Sequence, residues 1–217
     1  MTQTTLYTFT GAADGGQPLA GLIIDKSGNL YGTTEFGGAG RYGTVFRLEP
    51  PAQSGGTWTE TVLFGFTGGR DGKEPRAPLT MDHAGNLYGT TVLGGNPGVG
   101  TVFRLVPSAS GAVPWQETVL HNFEPENDGA SPMAGLSWGK NGVLYGTTFY
   151  SGGGVPNCGM VYSLTPSGSG KWTEAVLYNF KGGSSDGCSP EADVLISPNG
   201  AVYGTTTIPG VVFQLVP

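Results

Sequence analysis

The sequence predicts an all-β chain folded as a single four-bladed β-propeller, and three observations carry that prediction. First, one strand-like word is written four times: GNLYGTTEFGG from Gly28, GNLYGTTVLGG from Gly85, GVLYGTTFYSGGG from Gly142 and GAVYGTTTIPG from Gly200. Second, the equivalent tyrosines Tyr31, Tyr88, Tyr145 and Tyr203 set a unit of about 57 residues, and four short strands in a unit of that length are a propeller blade. Third, the 40 glycines and 16 prolines of the 217 residues recur at fixed places between apolar, β-branched and aromatic runs. That pattern marks many short strands joined by tight turns, and no long window carries a helical period.

Within one unit the first strand follows a proline, as in APLTMD from Ala77 to Asp82. The second is NLYGTT, the third GTVFRL, and the fourth WTETVLFGF from Trp58 to Phe66. The middle strands are apolar nearly throughout, as expected for sheets covered on both faces. The blades are expected at about 18–66, 75–123, 132–180 and 190–217. The last copy stops after its third strand, VVFQLVP, while TLYTF at 5–9 reads like a fourth strand. Pairing residues 4–9 with the last blade would close the ring in one monomer and remove the exposed edge; the competing reading is a fragment, or a half-ring that dimerises into eight blades.

Written as D..GNLYGTT..GG....GTVFRL.P followed by T.TVLF.F.GG.DG..P.A.L, the repeat resembles the GloVer (Gloeo/Verruco) tandem repeat of bacterial proteins over essentially the whole chain. Copies three and four depart from it: Asp25 and Asp82 give way to Gly139 and Ser197, and GTVF becomes GMVY and GVVF. The resemblance implies a bacterial, exported or surface-attached protein, and it carries no established catalytic residues.

Formal net charge is −6 with ten Lys plus Arg. Without a basic cluster, nucleic acid and anionic membrane are not expected partners. No stretch reaches the length of an apolar membrane span, and MTQTTLYTF has neither the charged nor the apolar region of a signal peptide. Localisation is expected to be extracellular or at the cell surface.

The Tyr-Gly-Thr-Thr words and the four Asp-Gly-x-x-Pro loops (Asp14, Asp71, Asp128, Asp186) recur too evenly to be ligand sites and read as architecture. No cofactor or metal site is expected, apart from a cation on the central axis held by backbone carbonyls. Cys158 and Cys188, the only cysteines, fall in loops of neighbouring blades on one face. A disulfide there is geometrically plausible and would imply an oxidising compartment. His83 and His121 are expected far apart, so they form no catalytic pair.

Function in a repeat protein should lie where the copies differ. At the mouth of the inner strands Arg76, Glu191 and Asp193 are single-copy charges, and Tyr42, Phe149 and Tyr150 lie in neighbouring loops. Carboxylates and an arginine beside aromatics suit a carbohydrate pocket or an acid/base site. The expected function is an extracellular binding module with carbohydrate as first ligand class. One alternative is an enzyme on a glycan or small polar substrate using Glu191 or Asp193 as acid/base and Arg76 as anion stabiliser. The other is a structural repeat of a longer surface protein.

Overall fold

The computed structural model describes residues 1–53, 55–109, 111–151, 157–168 and 170–217. The triple glycine at 152–154, which ends the third copy of the repeated word, lies outside the described residues. The chain forms four antiparallel sheets, each built from consecutive strands in sequence order. The first holds β1 (Ile23–Ile24), β2 (Leu30–Thr34), β3 (Thr44–Glu49) and β4 (Thr59–Gly65). The second holds β5 (Thr80–Met81), β6 (Leu87–Thr91), β7 (Thr101–Val106) and β8 (Gln116–Asn122). The third holds β9 (Ser137–Trp138), β10 (Leu144–Thr148), β11 (Met160–Pro166) and β12 (Trp172–Asn179). The fourth has three strands: β13 (Leu195–Ile196), β14 (Val202–Thr207) and β15 (Gly210–Leu215).

The repeated words are explained by pairing within each sheet. Gly32 lies opposite Phe46 in the β2–β3 register, and a Cβ at Gly32 would come within 2.7 Å of the Phe46 ring. Gly89 and Phe103 repeat that contact at the same 2.7 Å. The glycine of YGTT is thus the floor on which the phenylalanine of GTVF lies, which is why the two words travel together. The second threonine bonds within its own sheet, Thr34 to Thr44 and Thr91 to Thr101, both at 2.8 Å. The first reaches the next sheet: Thr33 Oγ1 donates to the Ala77 carbonyl at 3.2 Å and Thr90 Oγ1 to that of Ala134 at 2.9 Å.

Sheets follow one another through aromatic packing. The last phenylalanine of each outer strand meets the ring of the next sheet's third strand edge-on: Phe66 on Phe103, Phe123 on Tyr162, and Phe180 on Phe213, at 5.0–5.2 Å. Three clusters of buried residues join first to second, second to third and third to fourth sheet. Such edge-to-face pairs add to the area they bury.

Two expectations need correction. The inner strands are two residues long rather than six. Pro78 has no N–H to pair, and Asp82 turns away to accept from the amides of Ala84 and Asn86. The expected pairing of residues 4–9 with the last copy is also absent. These residues form no strand, and among the described residues β15 has β14 as its only sheet neighbour. Phe9 packs on Phe46 of the first sheet, ring centroids 4.8 Å apart, the same contact that Phe66, Phe123 and Phe180 make with the sheet that follows them.

The Asp-Gly-x-x-Pro aspartates cap their own loops. Asp14 accepts from Thr10 N and Oγ1 at 2.8 and 2.6 Å, and Asp71 from Thr67 N and Oγ1 at 2.7 Å. Asp128 pairs with His121 Nε2 at 2.6 Å. Near these loops each complete sheet carries a carboxyl oxygen buried without a partner, on Glu60, Glu117 and Glu174.

Burial, then the charge of Asp14 and Asp71 respectively, pushes Glu60 and Glu117 from the ordinary 4.5 to about 7. A raised acid pKa favours the folded state fully below the unfolded value, and this is lost as pH climbs toward 7. Asp25 and Asp82 act oppositely: burial raises them, but hydrogen bonds outweigh it and hold both below the ordinary value. Their contribution vanishes only as pH falls below about 4. Thermal melts should therefore show Tm highest near pH 4.5 and declining to pH 7.5, at roughly 2–4 °C per kcal/mol in a chain this size. The double variant Glu60→Gln/Glu117→Gln should flatten that decline, and a wild-type Tm that climbed across the window would contradict it.

Candidate functional site

The single-copy charges at the inner-strand mouths are held in structural contacts. Arg76 forms a close ion pair with Glu35, a buried carboxylate at the end of β2, and a longer one with Glu74 at 3.4 Å. Asp193 accepts from the Gly135 N–H at 2.6 Å, tying the fourth sheet to the third. Burial raises its pKa against the pull of that hydrogen bond. Glu191 is exposed. Among the described residues no ion pair joins Arg76 to Glu191 or Asp193.

The expected aromatics divide likewise. Phe149 and Tyr150 pack edge-on at 4.7 Å. Tyr42 stands under Lys73 Nζ at 5.8 Å, with Gly68 so close that a Cβ there would lie 2.6 Å from its ring. Cys158 and Cys188 are bonded, with S–S 2.18 Å and Cα–Cα 4.3 Å. They occupy the positions that Tyr42 and Lys73 hold two junctions earlier, and backbone bonds mark the equivalence: Glu74 N to Tyr42 O at 2.9 Å, Ser189 N to Cys158 O at 2.8 Å.

A second constellation, not anticipated from the sequence, lies at the opposite ends of the strands. In the first two sheets Asp25 and Asp82 organise the turn between the first and second strands. Asp82 accepts from Ala84 N, Asn86 N, Asn86 Nδ2 and Tyr88 OH at 2.7–3.0 Å, and Asp25 repeats the set. In the third sheet this aspartate is Gly139, and a 3-10 turn over Lys140–Gly142 replaces the capped turn. A Cβ at Gly139 would lie 2.4 Å from the Tyr145 ring.

Immediately before it, Trp138 stands where the other copies have Ile24, Met81 and Ile196. Trp138 meets Tyr88 of the second sheet edge-on at 5.0 Å, and Trp172 approaches the same tyrosine at 6.1 Å. These three rings line a groove of about 520 Å³ between the second and third sheets, with Asp82 and His83 on one wall and Pro166 on the other.

The Tyr–Trp pair itself recurs, since Tyr31 and Trp115 lie 6.4 Å apart at the preceding junction. The third aromatic is what singles this groove out, and its signal was in the sequence: a lone tryptophan at a position otherwise aliphatic. An open groove walled by rigid aromatic faces with a few polar groups suits a ligand that is part apolar and part hydroxylated.

Among the described residues, no group of three or more His, Cys, Asp or Glu side chains is placed to hold a metal ion. Among the described residues no helix is long and apolar enough to cross a membrane. A family model described as the Gloeobacter/Verrucomicrobia repeat matches residues 1–213. No curated protein matches the chain.

Proposed function

The chain belongs to the Gloeobacter/Verrucomicrobia repeat family, and we propose that its four sheets are propeller blades forming an extracellular carbohydrate-binding module. The site is the groove between the second and third sheets. The observation that carries this reading is the triad Tyr88, Trp138 and Trp172 around one open groove, with Asp82 and His83 at its edge. The flat C–H face of a pyranose can lie against an indole while its hydroxyls reach the carboxylate and imidazole. The disulfide supports a working place outside the reducing cytosol.

A glycan array followed by titration calorimetry tests this on wild type, Trp138→Met and Arg76→Ala/Asp193→Ala. Methionine is the residue the second copy has at that position, so folding should be preserved. Trp138→Met should weaken glycan binding at least about tenfold, roughly 1.4 kcal/mol, with Tm unchanged, while Arg76→Ala/Asp193→Ala keeps it. Absence of any glycan ligand, or loss of binding only in the Arg76/Asp193 variant, would overturn the assignment.

A further inference from the structure

The aromatic groove has a neighbour across the turn that forms one of its walls. A second groove of about 520 Å³ runs between residues 24–27 of the first sheet and 81–85 of the second. Met81, Asp82 and His83 line both grooves. The turn after β5 is thus a ridge with an open trough on either side, and His83 on that ridge is exposed.

The two troughs offer different chemistry. The first supplies ring faces: Tyr88 meets Trp138 at an interplanar angle of 81° and Trp172 at 62°. Rings so steeply inclined make a cradle for a single twisted chain, whereas the flat surface of an insoluble, ordered polysaccharide would rest on one ring at a time. The second trough supplies polar groups. Asp82 already takes four donors from its own turn, so further polar anchoring has to come from beside it. Lys26 and Ser27 are exposed there, and among the described residues neither side chain has a hydrogen-bond or ion-pair partner. The ammonium brings three donors, and the hydroxyl both donates and accepts. Burial raises the pKa of Asp25 and Asp82, but hydrogen bonds outweigh it and keep both below the ordinary value. Two carboxylates therefore stand against one ammonium along the two troughs at neutral pH, and an acidic chain would meet net repulsion.

We propose that this module takes an uncharged, soluble oligosaccharide chain that spans both troughs. Sugar rings stack in the aromatic cradle, and the chain continues over His83 to Lys26 and Ser27. The proposal rests on the aromatic groove being a glycan site and adds which class of glycan it takes. A ligand of repeating units fits two adjoining troughs of equal size, each about 520 Å³, where a single sugar would use only one. Stacking then supplies a contact common to many sugars, and the second trough selects for chain length and against negative charge.

The test is titration calorimetry with soluble cello-, malto- and N-acetylated chito-oligosaccharides, each from disaccharide to hexasaccharide, beside oligogalacturonates of the same lengths. In the neutral series that binds, wild type should hold the hexasaccharide at least about tenfold tighter than the disaccharide, and the acidic series should bind more weakly at every length. Lys26→Ala/Ser27→Ala should lose the gain with length and keep the disaccharide affinity. Both positions are exposed, and alanine is what the second turn carries at the place of Ser27, as Ala84, so Tm should hold. Trp138→Met should weaken short and long chains alike. Equal affinity at every length, a length gain that survives in the Lys26/Ser27 variant, or tighter binding of the acidic series would each overturn the spanning neutral chain while leaving the aromatic groove as a glycan site. Failure of every neutral series to bind would overturn it too, and the groove's assignment falls with it only if the glycan array is also blank.

Discussion

Replacing the disulfide by Cys158→Ala/Cys188→Ala is expected to lower the unfolding free energy by about 3.6 kcal/mol and Tm by roughly 10 °C. The bond spans a sequence separation of 30, and the chain-entropy cost released by cutting a loop of that length sets the figure. What makes it an entropic effect here is the setting. The same pair of positions holds Tyr42 beneath Lys73 at the first junction and Val99 near Ala130 at the second. The accompanying backbone bond is present at all three, including Ser189 N to Cys158 O at 2.8 Å. The sulfurs thus link two loops that the fold brings together without them. A cation–π contact at an exposed site contributes only about 0.5–1 kcal/mol, so the third junction is the one most tightly held. The alanine variant should keep native near-ultraviolet dichroism at room temperature while melting earlier. Calorimetry finding a change below about 1 kcal/mol would mean that the unfolded chain is already restricted across this loop.

Strand identity was legible because the words that encode it are contact pairs. The glycine of YGTT and the phenylalanine of GTVF sit opposite each other, so local sequence and sheet register carry one message. The inner strands were read too long because Ala77 to Asp82 looks apolar and extended. A proline without a donor and an aspartate that captures nearby amides leave only Thr80–Met81 in the ladder. The pairing of TLYTF with the last sheet was expected from matching strand words, but residues 4–9 form no strand and among the described residues β15 pairs with β14 alone. The groove was missed by looking for copy-to-copy differences only at the inner-strand mouths. Arg76 and Asp193 do differ there, yet both are spent on neighbouring sheets. Trp138 differs a few residues further on and is the change that alters a groove.

Phe103→Ala is expected to cost about 3–5 kcal/mol, the usual range for emptying a fully buried phenylalanine site. The ring is 0% exposed, lies over Gly89 and meets Phe66 of the first sheet at 5.2 Å. Neither of these two neighbours can fill the void: glycine has no side chain to move, and Phe66 is itself fully buried. Phe213→Ala supplies the contrast. Its ring touches Phe180 at 5.0 Å, but β15 is an open edge, so water already reaches its surroundings and the loss should be roughly half as large. Because each sheet packs chiefly on its neighbours, stability here should divide into sheet terms and junction terms. Phe103→Ala removes packing from the first junction and leaves the disulfide-linked third one intact. Hydrogen exchange should then show amides of β2 and β3 losing protection while those of β10 and β11 keep theirs, with unfolding no longer a single transition. Equal costs at Phe103 and Phe213, or a uniform loss of protection along the chain, would instead mean that the four sheets unfold as one unit and that the junctions are not where the molecule divides.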